Sequence, residues 1–201
     1  MVATWALIPV NTLSKSKSRL ASVLSPAGRE AFTLETLERT LALLDETPGI
    51  EATVVISPDH LVRRTAARNG AAVLPDMGHG LNAALEEATA WAQAEDAGSI
   101  LILASDLPML DNRDLDELLA PPASVPYVAI APCKHDSGTN AMAVQPPGVF
   151  HYTFGAQSFA SHCRAAHEAG ALVRIVRSAT LGFDVDTPLD YAALRRRLQK
   201  A

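Results

Sequence analysis

Acidic side chains that directly follow apolar segments are the first residues of this sequence to examine for chemistry. Asp106 follows the apolar run Ile100 to Ala104, and Asp184 and Asp186 lie in FDVDTPLD, residues 183 to 190. In an extended chain, residues two apart project from the same face, so Asp184 and Asp186 can point together. Adjacent carboxylates repel each other unless a cation lies between them. The pattern favours a cation site, and capping of a turn or helix is the alternative for Asp106 and Asp186.

The last acid of this segment, Asp190, is predicted to cap a helix instead. It follows Thr187 by three positions, with Pro188 next to Thr187, which is the pattern of a capping box at a helix start. The other three acids suit magnesium, which takes one or two carboxylates, waters and substrate phosphate oxygens. No His or Cys pair lies nearby in the sequence to favour a softer metal. If the strand ends meet, these three acids are predicted to bind Mg²⁺.

The elements that must position these acids alternate between strand-like and helix-like segments. Strands are predicted at residues 5–10, 52–57, 71–75, 99–105, 127–132, 140–145 and 172–178. Helices are predicted at residues 26–44, 59–69, 80–95, 112–119, 156–169 and 188–199. Residues 120–126 are a Pro-rich connection. No helix separates the strands at 127–132 and 140–145, so an antiparallel pair is expected there.

This alternation predicts an α/β fold, with a mixed, mostly parallel sheet and helices on both faces. In such sheets, ligands bind beyond the carboxyl ends of the strands, near the point where strand order reverses. Asp106 follows a strand that is apolar on both faces, as a central parallel strand should be. The predicted cation site therefore lies at the expected ligand-binding edge.

Composition narrows the class of protein. The chain has 201 residues, 48% of them hydrophobic, and a net charge of −5. This predicts a single domain over residues 1–201, located in the cytoplasm, and argues against a general nucleic-acid binder. The apolar runs are too short to cross a membrane. Cys133 and Cys163 lack metal-ligand spacing, so two buried thiols are expected rather than a disulfide.

The positive charges are unevenly distributed. Residues 1–29 contain Lys15, Lys17, Arg19 and Arg29 but no Asp or Glu. Neither of the familiar glycine-rich phosphate loops follows the first strand; the segment there is NTLSKSKSRLA, residues 11–21. This segment could hold a triphosphate through its charges and backbone N–H groups, or it could be a solvated loop.

Six motifs in fixed order resemble one enzyme family. They are IPV…SKSKSRLA, GHGLNAAL, ASDLPML, SGTNAM, FGAQSFASH and FDVDTPLD. Together they resemble the guanylyltransferases of coenzyme F-420 biosynthesis, which are relatives of the molybdenum-cofactor guanylyltransferase. The resemblance implies a nucleotidyltransferase domain of the glycosyltransferase-A type. The implied reaction transfers GMP from GTP to the phosphate of phosphoenolpyruvate or 2-phospholactate and releases pyrophosphate.

The resemblance also implies roles for individual residues. The implied catalytic and magnesium-binding residues are Asp106, Asp184 and Asp186; the acceptor-binding residues are Thr139, Gly155 and Ser158; and the nucleotide-binding residues are Lys17, Arg19, Gly80 and Asn82. The chain departs from the family at Asn11, where Lys is usual, and at Ser137, where Gly is usual.

Simpler interpretations stay open for several of these positions. Thr139 could merely begin a strand, Ser158 could satisfy backbone at a helix start, and Gly80 could be a turn glycine. His79 and His135 lie in loops and have no assigned role.

Two other functions are compatible with the sequence. One is another nucleotidyltransferase of the same fold, such as a molybdenum-cofactor, sugar-phosphate or cytidylyl transferase. The other is a non-catalytic nucleotide sensor, although a sensor has little need for three carboxylates. The sequence does not distinguish phosphoenolpyruvate, 2-phospholactate and 3-phosphoglycerate as the acceptor.

Overall fold

The computed structural model describes residues 2–76, 78–120 and 126–199. Its strands are β1 (Thr4–Pro9), β2 (Ile50–Ile56), β3 (Ala72–Leu74), β4 (Ser99–Leu103), β5 (Tyr127–Pro132), β6 (Thr139–Gln145) and β7 (Leu172–Ile175). Its helices are α1 (Pro26–Asp45), α2 (His60–Arg68), α3 (Leu81–Ala94), α4 (Asn112–Leu118), α5 (Ser158–Glu168) and α6 (Pro188–Leu198). Residues 121–125 of the Pro-rich connection lie outside the described residues.

The described strands form one sheet in the order β3-β2-β1-β4-β6-β5-β7. Strand β6 runs antiparallel to both of its neighbours, β4 and β5, and every other pairing is parallel. The predicted antiparallel partner and the mixed, mostly parallel sheet are therefore confirmed. Because β6 is antiparallel to β4, its first residues lie beside the carboxyl end of β4, where Leu103 pairs with Ala141.

Apolar side chains cover both faces of the sheet. Leu101 and Leu103 of β4 belong to one apolar cluster with leucines of α1 and α4, and Ile100 and Ile102 belong to another with α3. All five residues of β4 are buried, which explains the continuous apolar run in the sequence. Helices on both faces thus enclose this central strand, and Asp106 lies in the turn beyond its carboxyl end.

The element bounds differ from the predictions by up to three residues, and the cysteines differ in burial. Strand β7 ends at Ile175 rather than near residue 178, because its ladder with β5 ends at the pair Ile130–Ile175. Cys133 and Cys163 are free thiols, but both are partly exposed rather than buried, since Cys133 lies in a turn after β5 and Cys163 lies beside an exposed position of α5.

No helix in the described part of the chain has the length and apolar character needed to cross a membrane.

Candidate active site

The carboxyl ends of two adjacent parallel strands bring the acids and the basic loop together. Strand β1 lies beside β4, so the loop that follows β1 and carries Lys17 meets the turn that follows β4 and carries Asp106. The segment with Asp184 and Asp186 reaches the same place, since the backbone N–H of Val185 donates to the carbonyl of Asp106 at 3.4 Å. The segments that carry the three acids therefore meet at the same edge of the sheet, although they are about eighty residues apart in the sequence.

A lysine ammonium lies between two of these acids. Lys17 Nζ is 2.6 Å from Asp106 Oδ2 and 3.1 Å from Asp186 Oδ1, and the Lys17 side chain is only 9% exposed. Burial by itself lowers the pKa of Lys17, but the charges and hydrogen bonds of the two aspartates outweigh burial and raise the pKa above its ordinary value. Lys17 also has a left-handed backbone, with φ of 52°. Lys17 is therefore a fixed internal counter-ion of the acids in this structure.

Asp184 is the acid without such a counter-ion. Its Oδ1 accepts a hydrogen bond from the amide of Asn140 at 3.4 Å, and no ion pair to it occurs among the described residues. Burial and the negative charges of Asp106 and Asp186 raise the pKa of Asp184. The site thus holds more negative charge than its own cations neutralise.

The donor set at this site fits magnesium in its chemistry. The three acids and the Asn140 amide carbonyl offer hard oxygen ligands, and Asp184, whose pKa is raised by burial and by the charges of Asp106 and Asp186, has no cation beside it among the described residues. Within the described ranges, no three His, Cys, Asp or Glu side chains are grouped so that they could hold one ion. A magnesium ion held by one or two of these carboxylates, with its other positions on phosphate and water, suits this arrangement.

The basic loop is held in place by contacts that the sequence did not reveal. The backbone N–H of Leu13 donates to Asp59 at 3.0 Å, and Arg29 donates to the carbonyl of Ser16 at 3.3 Å. Asp59 also caps α2, so one carboxylate links the loop to a helix. A cavity of about 260 Å³ lies against this loop and is lined by Lys17, Ser18, Arg19 and Asp186.

The second predicted cation of the loop lies at the edge of this cavity. Arg19 Nη1 is 3.5 Å from Asp186 Oδ2, and the Arg19 side chain is 74% exposed. Its guanidinium is therefore largely in contact with solvent apart from this ion pair. Asn11, which departs from the family, accepts a hydrogen bond from the Thr12 N–H at 2.7 Å, and Lys15 is exposed.

The predicted capping box fixes the segment that carries Asp184 and Asp186. Thr187 accepts from the Asp190 N–H, and Asp190 accepts from the Thr187 N–H at 2.8 Å and from the Asp186 N–H at 3.3 Å. Lys134 donates a short hydrogen bond to Asp190. Burial works to raise the pKa of Asp190, but the hydrogen bonds from Lys134 and Thr187 lower it to about 2. The cap prediction is confirmed, and the Asp190–Lys134 contact was not foreseen.

The residues that the resemblance assigned to the acceptor form a separate hydrogen-bonded group. Thr139 is the first residue of β6, and its backbone N–H donates to Ser158 Oγ at 2.9 Å. Thr139 Oγ1 is 2.9 Å from His162 Nδ1. The simpler interpretations of Thr139 and Ser158 are thus structurally correct, because Thr139 begins a strand and Ser158 satisfies backbone. Gly155 has φ of +132°, and a Cβ there would meet no heavy atom within 4 Å.

The residues assigned to the nucleotide pocket lie at the start of α3. Gly80 precedes the helix with φ of 95°. The Asn82 amide donates to the carbonyl of Phe154 at 3.2 Å and accepts from the Phe154 N–H at 2.7 Å. Asn82 therefore fastens α3 to the segment that leads into α5, and its side chain is engaged with protein backbone.

Comparisons with known proteins identify the family of the chain. The model of the guanylyl transferase CofC-like family matches residues 4–195. The chain belongs to this family. A phosphoenolpyruvate guanylyltransferase from Rubrobacter xylanophilus is 40% identical over 193 residues, which cover 96% of this chain and 94% of the relative. A 3-phospho-D-glycerate guanylyltransferase from Colwellia psychrerythraea is 31% identical over 191 residues, which cover 95% and 90%.

Solved structures place the CofC-like guanylyl transferase in its fold class. A protein from Desulfovibrio desulfuricans assigned to the nucleotide-diphospho-sugar transferases superposes with a TM-score of 0.75 at 18% identity, covering 100% of this chain and 90% of its own. A CMP:2-keto-3-deoxy-manno-octonic acid synthetase superposes with a TM-score of 0.65 at 16% identity, covering 98% of each chain. These superpositions confirm the predicted fold class. The family match and the named relatives confirm the assignment as a nucleotidyltransferase.

Several residues around the site of this CofC-like guanylyl transferase were missed from the sequence. Asn140 donates to both Asp184 and the Leu181 carbonyl. Thr139 and Asn140 are consecutive in β6 and project to opposite faces, so together they join the acceptor group to the acids. The motif SGTNAM contained both residues, but only Thr139 was assigned. No role was predicted for His162.

Proposed function

We propose that this CofC-like guanylyl transferase transfers GMP from GTP to the phosphate of phosphoenolpyruvate, with magnesium, as a step of coenzyme F-420 biosynthesis. The observation that carries the proposal is the convergence of Asp106, Asp184 and Asp186 beside the cationic loop of Lys17 and Arg19. A reaction between two phosphorylated molecules needs positive charge at the site, because the two polyanions repel each other as they approach. Several relatives, at up to 40% identity, are named phosphoenolpyruvate guanylyltransferases.

The reaction needs no protein nucleophile. A phosphate oxygen of the acceptor attacks the α-phosphorus of GTP and forms a new P–O bond. The bond between the α-phosphorus and the bridging oxygen to the β-phosphorus breaks, and pyrophosphate leaves with that electron pair. Since the attacking phosphate is ionised at neutral pH, no general base is required. The demand on the protein is to position two anions and to offset their repulsion.

Two basic side chains of the protein are suited to binding the phosphates of GTP. Lys17 and Arg19 line the cavity at the acids, where their donors would bind the phosphates of GTP. Magnesium held by carboxylates among Asp106, Asp184 and Asp186 would supply charge neutralisation for the reacting phosphates and the departing pyrophosphate. When GTP is bound, the Lys17 ammonium would exchange its carboxylate partners for phosphate oxygens.

Pyrophosphate release is the direct test of the proposal. The purified protein is incubated with Mg²⁺, with GTP, ATP or CTP, and with phosphoenolpyruvate, 2-phospholactate or 3-phosphoglycerate. We expect release with GTP and phosphoenolpyruvate, together with a product whose mass equals GMP plus phosphoenolpyruvate less one water. Pyrophosphate release with 3-phosphoglycerate instead would indicate the acceptor named for the Colwellia psychrerythraea relative.

The same measurement separates the alternatives. Activity with CTP but not with GTP would indicate a cytidylyltransferase of the same fold. GTP binding without pyrophosphate release, across all three acceptors and sugar phosphates, would indicate a nucleotide sensor and would overturn the proposal.

A further inference from the structure

A buried histidine has its protonation state fixed by its neighbours. His162 is fully buried on α5, and its ring packs edge-on against Phe154 with centroids 4.6 Å apart. The backbone N–H of Thr153 donates to His162 Nε2 at 3.0 Å. An amide N–H can donate only to a nitrogen that carries no proton. The ring is therefore neutral, with its single proton on Nδ1.

This tautomer determines the direction of the next hydrogen bond. Since Nδ1 carries the proton, it donates to Thr139 Oγ1, at 2.9 Å. The Ser158 hydroxyl also donates to Thr139 Oγ1, at 3.4 Å, while Ser158 Oγ accepts from the Thr139 N–H. Both lone pairs of the Thr139 hydroxyl oxygen thus face donors. Its own proton has no acceptor among the hydrogen bonds of the described residues.

A donor left without a partner at a position only 7% exposed indicates a ligand with an acceptor atom. The neighbouring residue, Asn140, contacts Asp184, so this hydroxyl lies one residue from the acid site. The acceptor substrate of the proposed reaction carries both a phosphate and a carboxylate. We propose that His162 is a positioning residue that turns the Thr139 hydroxyl into an obligatory donor to an anionic oxygen of the acceptor acid.

This inference rests on the proposed function for the identity of the ligand, but its structural part does not. Without the Nδ1 donor, the Thr139 hydroxyl could rotate and donate its hydrogen bond to residue 162 or to Ser158. A hydrogen bond to a charged oxygen would then be lost, which corresponds to about tenfold to a hundredfold in affinity for the acceptor. The GTP site, which involves other residues, would be unaffected.

Kinetics of two variants test this role. His162→Asn keeps an N–H donor near the Nδ1 position, whereas His162→Gln places its amide near the Nε2 position and removes the Nδ1 donor to Thr139 Oγ1. We expect His162→Gln to raise the acceptor KM by about tenfold or more at an unchanged GTP KM. His162→Asn should restore most of the loss, and His167→Gln, at an exposed position of the same helix, is the matched control.

Long-range ¹H–¹⁵N NMR of the wild-type histidine rings gives a readout that needs no substrate. We expect one neutral ring protonated on Nδ1 and unprotonated on Nε2. A ring protonated on Nε2, or an acceptor KM within twofold of wild type in His162→Gln, would overturn the inference. If His162→Gln does not fold, the NMR result alone decides the tautomer. If wild-type protein transfers no GMP while NMR shows the expected tautomer, the proposed function fails and the hydroxyl's direction stands.

Discussion

Lys17 and Asp106, 89 residues apart in the sequence, form an ion pair of 2.6 Å inside the predicted magnesium site. The same ammonium reaches Asp186 at 3.1 Å, so one largely buried positive charge neutralises parts of two carboxylates. Asp184 has no ion-pair partner among the described residues, and its pKa is raised. The acids are therefore unequal in their surroundings, and substitutions at each should differ in stability even where they agree in activity.

Removing the charge of any of the three acids should nearly abolish turnover. Asp106→Asn, Asp184→Asn and Asp186→Asn preserve side-chain size but remove the anionic ligands proposed for magnesium. Loss of one group that stabilises transition-state charge typically costs about 10²–10³-fold in kcat. Pyrophosphate release with GTP and phosphoenolpyruvate measures the effect, and Asp116→Asn, at an exposed position of α4, is the control. Near-normal turnover by folded Asp106→Asn would contradict the assignment.

Two of these variants should change stability in opposite directions. An acid with a raised pKa in the folded state is destabilising once it is ionised, so Asp184→Asn should be more stable than wild type at pH 7 without divalent metal. That advantage should shrink as the pH falls toward 3.8, because wild-type Asp184 then becomes protonated. Asp106→Asn loses its charged hydrogen bond to Lys17 and should be about 1.5 kcal/mol less stable.

Urea unfolding of both variants measures these changes. A lower free energy of unfolding for Asp184→Asn than for wild type at pH 7 would mean that its negative charge is compensated in the folded protein.

Replacing Lys17 should strengthen metal binding while weakening catalysis. Lys17→Met keeps an unbranched apolar side chain but removes the charge that repels a divalent cation from Asp106 and Asp186. Without nucleotide, we expect Mn²⁺ to bind Lys17→Met at least about tenfold more tightly than wild type. Calorimetry or electron paramagnetic resonance on the free protein measures this affinity, and Lys15→Met, at an exposed position, is the control. Equal Mn²⁺ affinity in Lys17→Met and wild type would show that the ammonium does not compete for the cation position.

The pH dependence of stability should reveal His162. Burial lowers its pKa to about 4, against about 6.5 in the unfolded chain. Between these values the unfolded state binds more protons, so the free energy of unfolding should decrease as the pH falls through this window. The slope contributed by one such group reaches about 1.4 kcal/mol per pH unit. His162→Asn should flatten the slope, whereas His167→Asn should keep it. An unchanged slope in His162→Asn would contradict the lowered pKa.

The elements and their caps could be predicted from the sequence because their causes are local. The apolar run of β4 and the Thr187–Asp190 capping box are encoded within a few positions of each other. The rule that acids after parallel strands gather at the carboxyl edge of the sheet placed Asp106 without coordinates. Local pattern failed at the end of β7, where the pairing with β5 stops at Ile130–Ile175 although β5 itself continues to Pro132.

The partners of the site residues were decided only by the tertiary structure. Lys17 was predicted to bind nucleotide phosphate. Its ion pair with Asp106 could not be predicted, because it depends on β1 lying beside β4 in the sheet. His162 had no predicted role, and its contact with Thr139 depends on the position of β6 beside α5 in the fold. Residue types and spacing specify local structure and the edge where chemistry occurs. Which charges and protons meet at that edge depends on strand order and burial, because these contacts join residues far apart in the chain.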